Sequence, residues 1–270
     1  MTKSIYAFSK NQLAEYLKRI GIAENPNYSV AGLEQLGCAH FFSIPFENFS
    51  SHLKEKDDLQ IESLFDKLVV RQRGGICYEQ NLVLAAALGG LEFEYELLSG
   101  QMASRDGHFG PPFDHLTLRV FLDKEYLVDI GNGKTFTTPL NFEGTWVHQK
   151  RGGAYRIVTD GKQSYRVEQR SENNQVQTVY LFNGKSQEIE AFEPMWRFHS
   201  ESPESHFARG WIATLPQANG GRLTVAKGME METTTKGMER RAIGSAQKLE
   251  EILRGKFKMK DISIPRRWFK

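Results

Sequence analysis

Leu13, Tyr16, Leu17 and Ile20 recur at i, i+3, i+4 and i+7 behind Ser9, with Gln12 three residues after that serine. This is the spacing of an amphipathic helix opened by a capping box, and Gly21 closes it. A second helix is predicted from near Ser29 through Leu33, Leu36 and His40 towards Phe41, stopping ahead of Pro45 because proline disfavours helix in the preceding residue. A third, over 61–70, sets Leu64, Phe65 and Leu68 on one face. Arg73-Gly74-Gly75 then breaks the chain, and a fourth helix runs from near Cys77 to Gly89-Gly90, with a seven-residue apolar run at 82–88 that reads as buried.

From Phe93 the period changes to two. Runs at 115–122 and 125–130 flank a short turn at Asp123-Lys124, and others follow at 155–158, 165–168 and 177–182, bounded by Gly, Asn or Asp. Short strands at this spacing predict an antiparallel sheet or barrel. The last portion is mixed, with a strand at 221–225 and a helix at 246–253. The expected organisation is α+β in three parts: 1–90 helical, 91–195 strand-rich, and 196–270 mixed.

Composition narrows the class. Of 270 residues 40% are hydrophobic and 11% aromatic, enough for a core and too apolar for wholesale disorder. A net charge of +2 argues against a dedicated nucleic-acid binder. The +2 is a sum of opposites: residues 236–270 carry +7 and the rest −5, so the tail reads as an anion-binding patch or a solvated surface. No stretch approaches 18 apolar residues, and the start has no signal-peptide pattern, so a cytoplasmic protein outside the membrane is expected. Two cysteines, Cys38 and Cys77, are too few for a disulfide framework or a Cys-rich zinc module. No metal is expected.

Cys77 stands where a glycine-broken loop enters an apolar helix. Unpaired N–H groups and the positive end of the macrodipole favour a thiolate there, and such settings lower a cysteine pKa from ~8.5 to ~3.5–7.5. The same amides can hold an oxyanion. Taken alone, Cys77 reads first as a small buried hydrophobe, because a lone buried cysteine is more often inert. Cys38, mid-helix between Gly37 and Ala39, reads as core. His115 opens a strand and Asp129 closes the next, 14 residues on. An odd-length loop centred on Asp123 would make them diagonal neighbours ~7–8 Å apart on one face, whereas a two-residue loop would separate them. Asp114 is turned away from His115 by alternation. On residues alone a His–Asp pair is structural or catalytic; with a cysteine upstream the order is that of a thiol-nucleophile triad.

These residues resemble the arylamine N-acetyltransferases. Residues 73–81, RGGICYEQN, are similar to that family's R-G-G-x-C-x-E-L-N. Ile44-Pro45-Phe46-Glu47-Asn48, His115-Leu116, Val128-Asp129-Ile130-Gly131, Ser202-Pro203-Glu204-Ser205-His206-Phe207 and Gly221-Arg222-Leu223-Thr224 extend the likeness over nearly the whole chain. The resemblance implies a helical bundle, a central antiparallel β-barrel and a C-terminal α/β lid. It implies ping-pong acetyl transfer from acetyl-CoA to arylamines, arylhydrazines or N-hydroxyarylamines, with Cys77 as nucleophile, His115 as proton carrier and Asp129 as its orienting carboxylate. It implies further that Arg73, Glu79 and Asn81 brace the loop, Arg19 and Glu47 support each other, Phe46 lines the acceptor pocket, and the coenzyme lies near Gly131, Gly133 and Ser205.

Two positions depart from the family pattern. Asn132 stands where an aromatic is usual, removing a stacking surface for an aryl acceptor. Gln80 replaces a leucine, from which only a local packing change is expected. The rival reading is a cysteine hydrolase or transglutaminase-like enzyme with the same residue order.

Overall fold

Ser9 caps the first helix as its spacing predicts: its hydroxyl accepts from Gln12 N (3.3 Å) and the Gln12 side chain accepts from Ser9 N (3.0 Å). This computed structural model describes residues 6–104, 106–133, 136–150, 153–234 and 236–269. Helix α1 is Lys10–Ile20 and α2 is Val30–Ser43, capped by Ser29. A two-residue strand β1 (Phe46–Glu47) and the short helix α3 (Phe49–Leu53) follow, both too short to leave a periodic signal. The helix predicted over 61–70 is α4 (Ile61–Phe65) continued by a π-helical turn, Asp66–Val70, where Arg71 N bonds back to Asp66 O. Helix α5 (Cys77–Gly90) is buried from Cys77 through Leu88, as a helix apolar all round should be.

The barrel comprises β2 (Glu94–Met102), β3 (His115–Phe121), β4 (Glu125–Val128), β5 (Leu140–Asn141), β6 (Val147–His148), β7 (Ala154–Thr159), β8 (Ser164–Arg170) and β9 (Val176–Gln187). Their order is β5-β4-β3-β2-β9-β8-β7-β6, all antiparallel, and β5 approaches β7 so that the sheet nearly closes. Leu98, Leu127, Phe136, Tyr180 and Phe182 are among the side chains that fill the interior. Helix α6 (Glu193–Glu201) leads into strands β10 (Ile212–Pro216), β11 (Arg222–Ala226), β12 (Met229–Thr234) and β13 (Gly237–Ala242), then α7 (Ala246–Gly255). Strand β1 adds to β10, Phe46 opposite Thr214, so the second sheet is built from both ends of the chain. No helix among the described residues is long and apolar enough to cross a membrane.

Buried ions fasten the segment that leads into α5. Arg73 is fully buried; its Nε donates to Glu47 Oε1 (3.2 Å) and its Nη1 to Glu55 (3.0 and 3.1 Å). Glu47 also accepts from Gly74 N (3.2 Å) and Phe49 N (2.6 Å). Lys67, turned inward by the π-helical turn, donates to Asp57 (2.6 Å) and Glu79 Oε1 (2.5 Å). Burial works against its charge, but these two carboxylates and Glu47 raise its proton affinity.

The expected Arg19–Glu47 support does not form. Arg73 takes Glu47, while Arg19 reaches the backbone oxygens of Ser43 (3.0 Å) and Leu68 (3.3 Å). With no acid against it, burial lowers the Arg19 guanidinium to about 10. Removing one member of a buried ion pair strands the other, at a cost of about 3–5 kcal/mol. Arg73→Ala is therefore expected to lose about that much in urea unfolding, against less than about 1 kcal/mol for the exposed Arg197→Ala.

Candidate active site

Cys77 and His115 of the expected triad line a cleft of about 610 Å3, and Asp129 is buried against His115. Cys77 is the first residue of α5, with Ile76 extended before it. Ile76 N donates to Glu79 Oε2 (2.7 Å), which leaves the first-turn amides of the helix free of that carboxylate. His115 opens β3. Asp129 follows β4 directly, and the three-residue loop 122–124 pairs Phe121 with Glu125 and Leu118 with Val128. That odd loop sets His115 and Asp129 on one face as diagonal neighbours, with Thr117 facing Asp129 across the hairpin. His115 Nε2 donates to Asp129 Oδ2 at 2.8 Å, and both side chains are buried. The other ring nitrogen is left for Cys77, with which His115 shares a hydrogen bond.

Asp129 is held from several sides. Its Oδ1 accepts from Asn81 Nδ2 (3.0 Å) and Gly131 N (2.9 Å), and Asn81 also takes Ile130 N (3.1 Å) and donates to Leu116 O (2.7 Å). Burial opposes its charge, yet His115, Asn81 and Gly131 hold the carboxyl below its usual range. Burial likewise disfavours the His115 cation, but the charge and hydrogen bond of Asp129, with Cys77 beside it, push it up to about 10. The site therefore keeps an imidazolium beside the Cys77 sulfur at neutral pH.

Asp114, one residue ahead of β3, also lines the cleft but bonds His199 on α6 and not His115. Phe46, Gly131 and Asn132 line the cleft alongside Cys77 and His115. Gly131 is packed so tightly that a Cβ would lie 2.5 Å from Asn81 Nδ2 and 2.8 Å from the Cys77 backbone. Gly133, at φ +67°, lies beside Phe46 and Thr214 outside the lining. Ser205 is buried behind the wall, its hydroxyl accepting from Phe207 N (3.2 Å) and bonded to His199, so it caps a turn of helix and does not reach the cleft. Met102, Phe198, His199, His206, Phe207 and Arg209 also line it, and sequence reasoning had not singled them out as cleft residues. The Ser202–Phe207 motif was the one signal pointing to His206 and Phe207.

Gln80 does more than fill space. Its Nε2 donates to Pro45 O (2.7 Å) and Gly75 O (3.2 Å), so its Oε1 must accept from His40 Nε2 (2.5 Å). The other His40 nitrogen bonds Tyr16 Oη (2.8 Å), and burial lowers His40 to about 3, which keeps it neutral. Cys38 is half-buried on α2 beside Thr137, outside the cleft, and burial raises its thiol. Basic side chains of the tail pair with carboxylates, as Arg254 does with Glu250 and Lys256 with Glu230, and none lines the cleft among the described residues.

A sequence profile described as N-acetyltransferase matches residues 29–263. An arylamine N-acetyltransferase of Mycolicibacterium smegmatis is 37% identical over 206 residues, 73% of this chain and 74% of that protein. The chain belongs to the arylamine N-acetyltransferase family. It is an acyltransferase. The solved structure of the Salmonella typhimurium arylamine N-acetyltransferase superposes with a TM-score of 0.86 at 25% identity, covering 95% of this chain and 94% of that one. The Mycobacterium marinum arylamine N-acetyltransferase, solved in complex with CoA, gives 0.81 at 28% identity over 92% and 93%. The helical, barrel and lid architecture of the family's structures is the one expected from sequence.

Two outcomes are expected of the His115–Asp129 pair. Asp129→Asn removes the charge and the tautomer control, and turnover should fall about 10²- to 10⁴-fold with the fold intact by circular dichroism. The second concerns stability. The unfolded chain releases this histidine proton near pH 6.5, while the folded protein holds it to about 10. The stabilisation is complete below pH 6.5 and is lost as pH rises through 10. Urea unfolding should therefore show wild type weakening from pH 7 to 10 more steeply than His115→Gln.

Proposed function

We propose that this chain transfers acetyl from acetyl-CoA to arylamines and arylhydrazines through an acetyl-Cys77 intermediate. The observation that carries this reading is the Cys77 thiol at a helix start, bonded to a histidine whose far nitrogen is held by Asp129. Family membership and the CoA-bound mycobacterial neighbour support the donor.

The chemistry balances in two half-reactions. The Cys77 thiolate adds to the acetyl carbonyl of the coenzyme thioester, and first-turn amides of α5 face the developing oxyanion. The carbon–sulfur bond to the coenzyme breaks, and the departing thiolate takes the proton held on His115. Exchange of one thioester for another is nearly balanced in energy, so the acetyl-enzyme stays reactive. The amine then attacks the acetyl-Cys77 carbonyl, its proton passes to the now neutral His115, and the thiolate with its imidazolium is restored.

Every first-half step needs Asp129 to keep His115 turned towards Cys77. Phe46 and Phe207, with ring centroids 6.0 Å apart, offer an aromatic surface to the acceptor, and Asn132 replaces a further ring with an amide. The cytoplasm is the expected compartment, since the mechanism needs a reduced thiol.

Wild type incubated with acetyl-CoA alone should gain one acetyl group on the peptide containing Cys77. Adding an arylamine should discharge it with stoichiometric acetylated amine. Cys77→Ala and Cys77→Ser should lose turnover while melting near the wild-type temperature. Peptide cleavage without coenzyme, or full activity in Cys77→Ala, would overturn the reading in favour of a hydrolase.

A further inference from the structure

A second His–Asp pair lies in the cleft. His199, on α6, is buried to 3% exposure, and its Nε2 lies 3.0 Å from Asp114 Oδ1. Burial pushes the Asp114 carboxyl up, but the bond and charge of His199, with Met102 N (3.3 Å) on Oδ2, hold it below its usual range. An ionised carboxylate can only accept, so Nε2 donates. The other nitrogen, Nδ1, bonds Ser205 Oγ (3.3 Å), and Ser205 in turn caps the short 3-10 turn His206–Arg209 by accepting from Phe207 N. Both ring nitrogens are bonded, neither of them to Cys77.

What this chain of bonds holds is the aromatic wall. Phe207 lies against Phe46 across the cleft, and His206 packs on Phe207 with ring centroids 3.9 Å apart. The far side of Phe207 is fixed independently: its carbonyl accepts from Asn48 Nδ2 and His52 Nε2, each at 2.9 Å. At the near end the only side chains hydrogen-bonded to Ser205 and His199 among the described residues are each other and Asp114, which immediately precedes His115, and the His199 ring packs directly on His206 and Phe207, with centroids 5.4 Å from each. The triad strand and the aromatic wall are thus joined through His199, by its hydrogen bonds to Asp114 and Ser205 and by its ring against the wall.

We propose that His199 and Asp114 form a positioning pair that sets the distance between the aryl-binding wall and the reacting Cys77, and so selects acceptors that carry a ring. This rests on the transferase reading above. A positioning group differs from a merely satisfied core histidine in what its loss does. Loosening the wall costs binding of a ring and leaves attack by a ringless nucleophile on acetyl-Cys77 largely alone.

The test compares kcat/KM for 4-methoxyaniline and for acetohydrazide, which has no ring. His199→Leu is expected to lower the first about tenfold, mostly through KM, and the second less than about threefold. His199→Gln keeps a donor for Asp114 and an acceptor for Ser205, and should recover most of the loss. Equal losses for both acceptors, no loss at all, or failure of His199→Gln to recover would each overturn the proposal. If His199→Leu does not fold, Ser205→Ala cuts the same chain at its other end and should show the same selectivity. A wild type that acetylates no acceptor would sink the transferase reading. In that case alkylation of Cys77, followed on its own peptide, still decides the wall: the rate ratio of N-phenylmaleimide to N-ethylmaleimide should fall in His199→Leu, and an unchanged ratio refutes it.

Discussion

The Glu79 carboxylate is the joint on which the site turns. One oxygen takes Ile76 N and so fixes where α5 begins; the other takes Lys67, drawn from the π-helical turn before it. A carboxylate buried to 3% exposure would be costly without both partners. With them it sets Cys77 as the first helical residue, at the floor of the cleft. On the other side of the same loop, Arg73 and Glu47 clamp Gly74. Ions buried in this way contribute less to net stability than to placing one peptide segment, because each is satisfied in a single arrangement.

That floor admits little variation. Gly131 approaches the Cys77 backbone too closely for any side chain, and Asn81 ties the same turn to Asp129 and to Leu116 on β3. Asn81 thus ties Asp129 and the start of β3 to the helix that Cys77 opens. Gln80, one residue earlier, ties the loop to the first two helices through His40 and Tyr16. A leucine at 80 would leave the neutral His40 N–H without that acceptor in a buried place. The polar chain is therefore a local solution, matched by the histidine it meets.

Much of this was legible in the residues. Ser9 with Gln12, Ser29, the break at Arg73-Gly74-Gly75 and the odd hairpin loop each carry a physical signature, and they place α1, α2, α5 and the β3–β4 register where they lie. Hidden elements were short or exposed: α3 has five residues, β13 is exposed along its length, and β1 finds its partner 160-odd residues away. Partner choice was hidden for the same reason. Nothing local tells Glu47 to take Arg73 and leave Arg19, or brings His199 to Asp114, 85 residues apart. Spacing reports faces of elements, and only packing reports which faces meet. Ser205 shows the consequence: its motif marks the right segment, but the hydroxyl points into a cap instead of the cleft.

Two adjacent residues, Asp114 and His115, show how one rule of strand geometry divides the chemistry. Both line the cleft, yet adjacent side chains along an extended backbone diverge, and each takes a different partner. His115 finds Asp129 across the hairpin, keeps one nitrogen for Cys77, and has its proton affinity raised to about 10. Asp114 finds His199 on a different element, and that imidazole is bonded at both nitrogens. The first imidazole is bonded to the Cys77 sulfur; the second is tied to a carboxylate and to the hydroxyl of a helical cap. A slip of one residue in the β3–β4 register would turn His115 away from Asp129. The odd loop at 122–124 therefore decides whether His115 meets Asp129 at all.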